Sequence, residues 1–154
     1  MEDVLEIAKY IKKKYKLIYK KDIDEMKMHK LLYFIQRESL IENRKPIFDA
    51  KIYAWKYGPV IIEIRKNYKN IIFENKKFRF NNPDTVTIIN RVFKLYASKN
   101  SWSLSRLTHA EFSWEQARIG LDENESGNNI INIDSIKKDA AKIKFRRSML
   151  SKIY

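Results

Sequence analysis

The sequence of 154 residues contains no cysteine, and it has only three glycines and three prolines. Without cysteine there can be no disulfide bond, no thiol nucleophile and no metal site made of thiolates. The three glycines are separated along the chain, so there is no glycine-rich loop of the kind that cradles phosphate groups. The absence of cysteine is typical of a protein in a reducing compartment, and we expect this protein to be cytoplasmic.

Histidine is also rare, with His29 and His109 as its two occurrences. Glu25 and His29 lie four residues apart and can share a helix face, but neither histidine belongs to a metal-ligand spacing such as HExxH. The chain has no GxSxG nucleophile elbow, and its acidic residues are scattered rather than paired. The sequence therefore predicts no metal, no cofactor and no catalytic residue, and we expect a protein that is not an enzyme.

Long apolar runs are missing too. No stretch of about 18 successive apolar residues occurs, so the sequence predicts no transmembrane helix. The N-terminal stretch MEDVLEIAKYIKKKYK places acids before lysines and has no long apolar centre, which is unlike a secretory signal peptide. We expect no association with a membrane.

Positive charge, in contrast, is abundant. The chain has 32 Lys and Arg against 19 Asp and Glu, a formal net charge of +13, and residues 136–154 contain Asp139 as their one acid. The basic residues of this segment that are candidates for contact with nucleic acid or an acidic partner are Lys137, Lys138, Lys142, Lys144, Arg146 and Arg147. Clustered cations gain affinity for nucleic acid by releasing counter-ions from phosphates. A chain that is rich in lysine throughout explains the charge equally well, and both interpretations stay open.

Hydrophobic periodicity predicts a mainly α fold, at the margin of the α+β class. Apolar residues recur at helical spacing from Val4 to Tyr15, and a second helix is capped by Asp22 or Asp24 and ends near Ile41. Further helices are predicted to begin near Pro59, Asp84, Ser101 or Ser103, Ser113 and Asp134. A strand is predicted within 47–55 and a short hairpin within 71–80. We expect a single compact domain over 1–154, with six to seven helices, this small β element and a basic last helix over about 134–150.

The stretch AWKYGPV gathers a tryptophan, a glycine and a proline in a chain that is poor in all three. Extended residues before it and a helical pattern after it predict a strand, a tight corner and a helix. Pro59 would take the first helical position, where its missing N–H costs nothing, and Gly58 would allow the corner. Trp55 would anchor the strand in the core. Lys56 and Tyr57 are predicted to be exposed at the corner and to contact a partner.

A third constellation is the run LSRLTH with the tryptophan that follows it. Leu104, Leu107 and Trp114 are predicted to face the core at helical spacing. Thr108 and His109 allow two interpretations, in which they either support a helix end or contact a partner directly.

Three stretches, taken in order, resemble those of a known family. They are KLLYFIQ at 30–36, AWKYGPV at 54–60 with Glu63 following, and LTH at 107–109 with Trp114 and Ala117-Arg118. From about residue 24 to residue 120 the chain resembles the Panacea, or SocA-like antitoxin, domain, which also includes phage-associated GepA-like proteins. In this resemblance the structural signature consists of Trp55, Gly58, Pro59 and Trp114.

The resemblance implies a helical domain that works by protein–protein binding, without cofactor or catalysis. Family members neutralise a toxin encoded beside them by direct contact, at least one resembles an adaptor that delivers its toxin to a protease, and some are phage-borne. Our first hypothesis is a non-enzymatic, antitoxin-like protein that binds a toxin or effector through Lys56, Tyr57, Thr108 and His109. The alternatives are a phage-borne inhibitor of a host defence effector such as a nuclease, and a basic regulatory protein that binds nucleic acid.

Overall fold

The computed structural model describes residues 1–72 and 77–153. Within these ranges the chain forms seven α-helices, a 3-10 helix at Tyr68–Asn70 and one antiparallel pair of strands. The helices are α1 (Val4–Tyr19), α2 (Glu25–Asn43), α3 (Ile62–Asn67), α4 (Thr85–Tyr96), α5 (Ser101–His109), α6 (Phe112–Ala117) and α7 (Ile133–Ile153), and the strands are β1 (Ile52–Trp55) and β2 (Gly58–Ile61). The predicted fold class, mainly α with a small β element, is confirmed.

Helix α2 lies at the centre of the fold. All of its residues from Lys27 to Ile41 are buried, because α1, α4, α5, α7 and β2 pack around it. The helix is covered on every side, unlike a surface helix that buries a single apolar face. Its polar side chains are therefore buried as well and need partners inside the fold. Gln36, for example, donates to the Phe48 carbonyl at 2.9 Å and accepts from the Ile47 amide at 2.8 Å.

Three helices begin where a short polar side chain supplies a cap. Asp3 and Asp24 accept hydrogen bonds from backbone amides in the first turns of α1 and α2. Helix α5 is capped by Asn100, whose side-chain oxygen accepts from the Ser103 amide at 2.8 Å. The predicted cap at Ser101 or Ser103 is therefore wrong, because the asparagine before them takes that position.

Glu2 ties the N-terminus to the start of α4. Its buried carboxylate accepts hydrogen bonds from the Asn81 amide at 2.7 Å, the Asn82 amide at 3.2 Å and the Thr85 hydroxyl at 2.5 Å. Glu2 thus holds the segment before α4 and the first residue of that helix from a distant part of the chain.

The strand pair corrects the sequence interpretation of AWKYGPV. Strands β1 and β2 are antiparallel, with Ala54 opposite Pro59. Pro59 therefore lies in a strand, and the prediction that it starts a helix is wrong, since α3 begins at Ile62. A proline is tolerated here because the Ala54 amide points away from β2 and donates to the Asn129 carbonyl at 2.8 Å, so this pair uses no N–H from residue 59.

The remaining β predictions have different outcomes. The strand expected within 47–55 is present as β1, and its partner is β2. The hairpin expected within 71–80 includes residues 73–76, which lie outside the described residues. Residues 71, 72 and 77–80 belong to no strand.

Two residues predicted for the core are not fully buried in it. Trp55 is half-buried and Leu107 is 41% exposed, whereas Leu104 is fully buried and Trp114 packs, partly buried, against the core. Helix α5 buries one narrow face that includes Leu104 and Thr108, and Leu107 falls outside it.

Helix α7 packs against α2 and α6 through its N-terminal half. Ile136 and Ala140 are buried, whereas Phe145 and Leu150 are 69% and 49% exposed. In the part of the chain that the structure describes, no helix combines the length and the apolar character needed to cross a membrane.

Candidate partner-binding site

The three sequence stretches singled out above meet around Gly58. Its φ of +118° is a conformation that residues with side chains rarely adopt. A Cβ atom on Gly58 would lie 2.6 Å from Lys30 Cε and 2.8 Å from Thr108 Oγ1, and both distances are too short. Glycine is required at this position because the stem of a buried lysine from α2 passes directly against the hairpin turn.

Lys30 and Thr108 are both buried at this point. The Lys30 ammonium donates a hydrogen bond to the Pro59 carbonyl at 3.3 Å, and burial lowers the pKa of Lys30 from its ordinary 10.5 to about 8. The Thr108 hydroxyl donates to the Ser105 carbonyl at 2.8 Å. Thr108 was a candidate for partner contact, but it has no exposed surface and instead packs against the turn.

His29, the neighbour of Lys30 in sequence, links the hairpin to α2. Its Nδ1 accepts a hydrogen bond from the Ile61 amide at 3.2 Å, so the ring proton lies on Nε2, which donates to the Glu25 carboxylate at 3.1 Å. Burial lowers the pKa of His29 to about 4, and the ring is neutral at pH 7. Both ring nitrogens are occupied, and the described residues contain no group of three His, Asp or Glu that could hold a metal ion.

Side chains of α6 and of the residue after α6 hold the backbone carbonyls of β1, with support from His109 of α5. Trp114 Nε1 donates to the Trp55 carbonyl at 3.0 Å, and Arg118 donates to the Ala54 carbonyl at 2.9 Å. His109 stacks on the Trp114 ring, with 4.1 Å between the ring centroids. It is half-buried, and burial lowers its pKa. His109 therefore supports the hairpin through the tryptophan that binds it.

The hairpin turn presents a pair of exposed aromatic rings. Tyr57 is 49% exposed and Trp102 is 57% exposed, and the two rings meet edge to face with 5.4 Å between their centroids. The Ser105 hydroxyl donates to the Tyr57 carbonyl at 2.5 Å, which fixes the turn on α5. Lys56 lies beside them, with its ammonium 4.9 Å from the centroid of the Tyr57 ring. We refer to Lys56, Tyr57 and Trp102 together as the turn surface.

Trp102 is a residue of this surface that the sequence interpretation missed. Its signal was nevertheless present in the sequence, since α5 buries residues 104, 105 and 108, and position 102 falls outside that face. Tryptophan is highly buried on average, so a tryptophan with more than half of its surface exposed marks a candidate contact with a partner.

A pocket of about 820 Å³ opens beside the turn surface and shares two residues with it. Its wall includes Lys30 from α2, Trp55 from the hairpin, Arg65 from α3 and the loop residues 126–128. The Arg65 guanidinium lies 5.0 Å from the centroid of the Trp55 ring and pairs with Glu25 at 3.1 Å. The wall of the pocket therefore combines aromatic surface with basic side chains and the carboxylate of Glu25.

The family model for the antitoxin SocA-like, Panacea domain matches residues 28–115. The chain belongs to this family. The match covers more than half of the Panacea protein and includes Lys30, Gly58, Thr108 and Trp114, the residues that meet at the hairpin. No curated protein and no solved structure matches the chain.

Helix α7 lies beyond the matched part of the Panacea domain, and it carries the basic residues singled out in the sequence. Five of them are exposed, namely Lys137, Lys138, Lys142, Lys144 and Arg146. Arg147 instead forms two hydrogen bonds, at 2.8 and 3.1 Å, with the buried carboxylate of Glu38 in α2. The prediction that Arg147 contacts nucleic acid or an acidic partner is therefore corrected, because the fold itself holds this side chain.

The one acid of the basic segment is also held by the Panacea fold. Asp139 is buried and accepts hydrogen bonds from the Phe112 and Ser113 amides, both at 2.9 Å. These amides open α6, so Asp139 caps that helix from α7. Helix α7 thus completes a part of the structure that lies within the matched segment.

Proposed function

We propose that this Panacea protein is a non-enzymatic antitoxin that binds a toxin or effector protein and neutralises it by steric contact in the cytoplasm. The turn surface carries the proposal, because Tyr57 and Trp102 expose large aromatic side chains there. Aromatic residues of this kind supply much of the binding energy in many protein interfaces. Membership of an antitoxin family supports a protein as the partner.

The way the hairpin is held supports this role. The carbonyls of residues 54, 55 and 57 accept hydrogen bonds from side chains of Arg118, Trp114 and Ser105. A surface that is already ordered loses little conformational entropy when a partner binds. The turn surface can therefore convert aromatic contact area into affinity efficiently.

The charge of the protein indicates the character of the partner. A net charge of +13 favours association with an acidic surface, because complementary charge raises the association rate. The same contact would serve an adaptor that presents its partner to a protease. It would equally serve a phage-borne inhibitor that covers the nucleic-acid site of a defence nuclease.

Coexpression with the product of the adjacent gene tests the proposal. We expect the two proteins to copurify and growth to be restored in cells that express both. Trp102→Ala should weaken the complex by about 30-fold, since truncating an exposed aromatic hot spot costs about 2 kcal/mol. Phe145→Ala is the matched control, because Phe145 is 69% exposed but lies on α7.

Two results would contradict the proposal. One is the absence of both complex and growth rescue with the wild-type pair. The other is a complex that Trp102→Ala leaves unchanged while Phe145→Ala disrupts it, which would move the binding surface to α7.

The five exposed basic residues of α7 favour a second candidate function, the binding of nucleic acid. Binding of a fluorescent DNA duplex should then weaken steeply as salt rises, because cations that contact phosphates displace counter-ions. Replacing Lys142, Lys144 and Arg146 together by alanine should lower both the affinity and the salt dependence. Duplex binding that the triple variant leaves unchanged would remove this candidate.

A further inference from the structure

The wall of the pocket beside the turn surface contains a buried lysine that has no anionic partner. Lys30 is 1% exposed, and its ammonium makes a single long hydrogen bond, 3.3 Å to the Pro59 carbonyl. Among residues 1–72 and 77–153, no carboxylate lies within ion-pair distance of it. An ammonium has three N–H donors, so most of its hydrogen-bonding capacity is unused.

A second buried lysine on the same helix, Lys27, is better provided with hydrogen-bond acceptors. Lys27 is 6% exposed, and its ammonium donates to the Tyr15 hydroxyl at 3.2 Å and to the Ala97 carbonyl at 2.9 Å. It also lies 5.1 Å from the centroid of the Tyr15 ring. Lys27 is therefore accounted for by packing and hydrogen bonds within the protein, whereas Lys30 is not.

Two other polar side chains of the pocket wall, Arg65 and His29, are already engaged within the fold. Arg65 pairs with Glu25 and lies over the Trp55 ring, and both nitrogens of His29 are hydrogen-bonded. Burying an unpaired cation is costly unless something compensates its charge. The pocket thus offers one buried cation, Lys30, that has no carboxylate in direct contact and lies next to the aromatic surface of Trp55.

We propose that this pocket binds a carboxylate of the partner protein, with Lys30 as the counter-ion and the Trp55 and Tyr57 rings as the contact for an adjacent apolar side chain. The inference rests on the proposed function and narrows the chemistry of the partner. A volume of about 820 Å³ is ample for a short segment of polypeptide.

A carboxylate fits this wall better than a phosphate does. Phosphate sites gather several N–H donors, from a helix start or a paired guanidinium. Here the start of α2 is capped by Asp24, which accepts from the Lys27 amide at 2.8 Å, and Arg65 is engaged by Glu25. The single buried ammonium of Lys30 matches a single negative charge.

Three blocked peptides test the proposal by NMR titration of the full-length protein. They are acetyl-Gly-Glu-Phe-amide, acetyl-Gly-Gln-Phe-amide and acetyl-Gly-Gly-Phe with a free C-terminal carboxylate. We expect a carboxylate peptide to shift the Trp55 indole signal and to bind about tenfold or more tightly than the glutamine peptide. Stronger binding of the first peptide identifies an acidic side chain as the ligand, and stronger binding of the third identifies a chain terminus.

Variants of the two lysines provide the matched comparison. Lys30→Met should weaken the carboxylate peptide by about tenfold or more, to the level of the glutamine peptide, whereas Lys27→Met should leave the affinity unchanged. Equal binding of the glutamate, glutamine and free-carboxylate peptides to the wild-type protein would overturn the proposal without reference to any variant. Wild-type affinity of Lys30→Met for the carboxylate peptide would overturn it as well.

The complex with the adjacent gene product separates this inference from the proposed function. Lys30→Met should weaken that complex by about tenfold or more. If the wild-type complex forms and Lys30→Met leaves it intact, the pocket proposal fails while the antitoxin proposal stands. If no complex forms but the peptides bind through Lys30, the antitoxin proposal fails while the carboxylate site stands.

Discussion

Replacing Lys30 by methionine should make the folded protein more stable, although this residue lies within the matched family segment. Burial lowers the pKa of Lys30 from 10.5 to about 8, with nearby Asp24 and Glu25 opposing the shift. At about 1.4 kcal/mol for each pKa unit, keeping the charged form in the folded state costs about 3 kcal/mol at pH 7. The long hydrogen bond to Pro59 returns about 1 kcal/mol.

The expected net gain for Lys30→Met is therefore about 2 kcal/mol, because methionine fills a similar volume without a charge. For a protein of this size such a gain corresponds to a rise of about 4–8 °C in Tm. Urea unfolding followed by circular dichroism measures it directly. The matched control is Lys27→Met, which leaves the Tyr15 hydroxyl and the Ala97 carbonyl without their partner and should destabilise the fold by about 2 kcal/mol.

The pH dependence of stability provides a second test, because the lowered pKa of Lys30 fixes the direction in which the wild-type stability changes with pH. Since folding lowers the pKa of Lys30, the unfolded chain holds the proton more tightly than the folded chain does. The destabilisation is complete below about pH 8 and disappears as pH rises toward 10.5, so wild-type stability should rise relative to Lys30→Met across that window. A wild-type protein that is more stable than Lys30→Met at pH 7, with a constant difference up to pH 10.5, would refute the reasoning.

Three further substitutions probe other parts of the fold by urea unfolding. Gly58→Ala should lower the free energy of unfolding by about 3 kcal/mol, because the new Cβ meets both a positive φ and a steric clash. Gly120→Ala, also at positive φ but with nothing within 4 Å of the new Cβ, should lower it by about 1 kcal/mol. Equal losses for the two variants would exclude the clash. Glu2→Gln should lower the free energy of unfolding by about 1–3 kcal/mol, because the Asn81 and Asn82 amides lose a charged acceptor, and an unchanged midpoint would show that this contact is dispensable. Asp139→Asn should lower the free energy of unfolding by about 1–2 kcal/mol, because the first amides of α6 lose their charged acceptor. Asp134→Asn, at an exposed position of α7, should leave the stability unchanged. Similar losses at both positions would contradict a capping role for Asp139.

The predictions from sequence succeeded where the structure is decided locally. The spacing of apolar residues from Val4 to Tyr15 identified the buried face of α1, and Asp24 was among the two caps proposed for α2. Both features depend on residues within a few positions of one another. Helix boundaries and a mainly helical fold therefore follow from the sequence to a useful degree.

The predictions that failed concern features that depend on contacts between distant segments of the chain. The helical pattern after Pro59 gave no indication that Asn129 would pair with β1 and turn the proline outward. The residues of α2 do not reveal how many elements surround the helix, and the structure buries all of these residues from Lys27 to Ile41. Trp102 was overlooked because the sequence draws attention to motif residues, whereas its exposure follows from the narrow buried face of α5.

The contacts of α7 imply that the segment by which the family is identified and the segment that can fold are different. Residues 28–115 end before the helix that supplies Asp139 to α6 and Arg147 to the buried Glu38. A chain cut at residue 115 would leave the α6 amides uncapped and would remove one of the two arginines that neutralise this carboxylate. The boundaries of a similarity match are therefore the wrong place to shorten this protein, and an excised binding module needs α7 to keep its hairpin support in place.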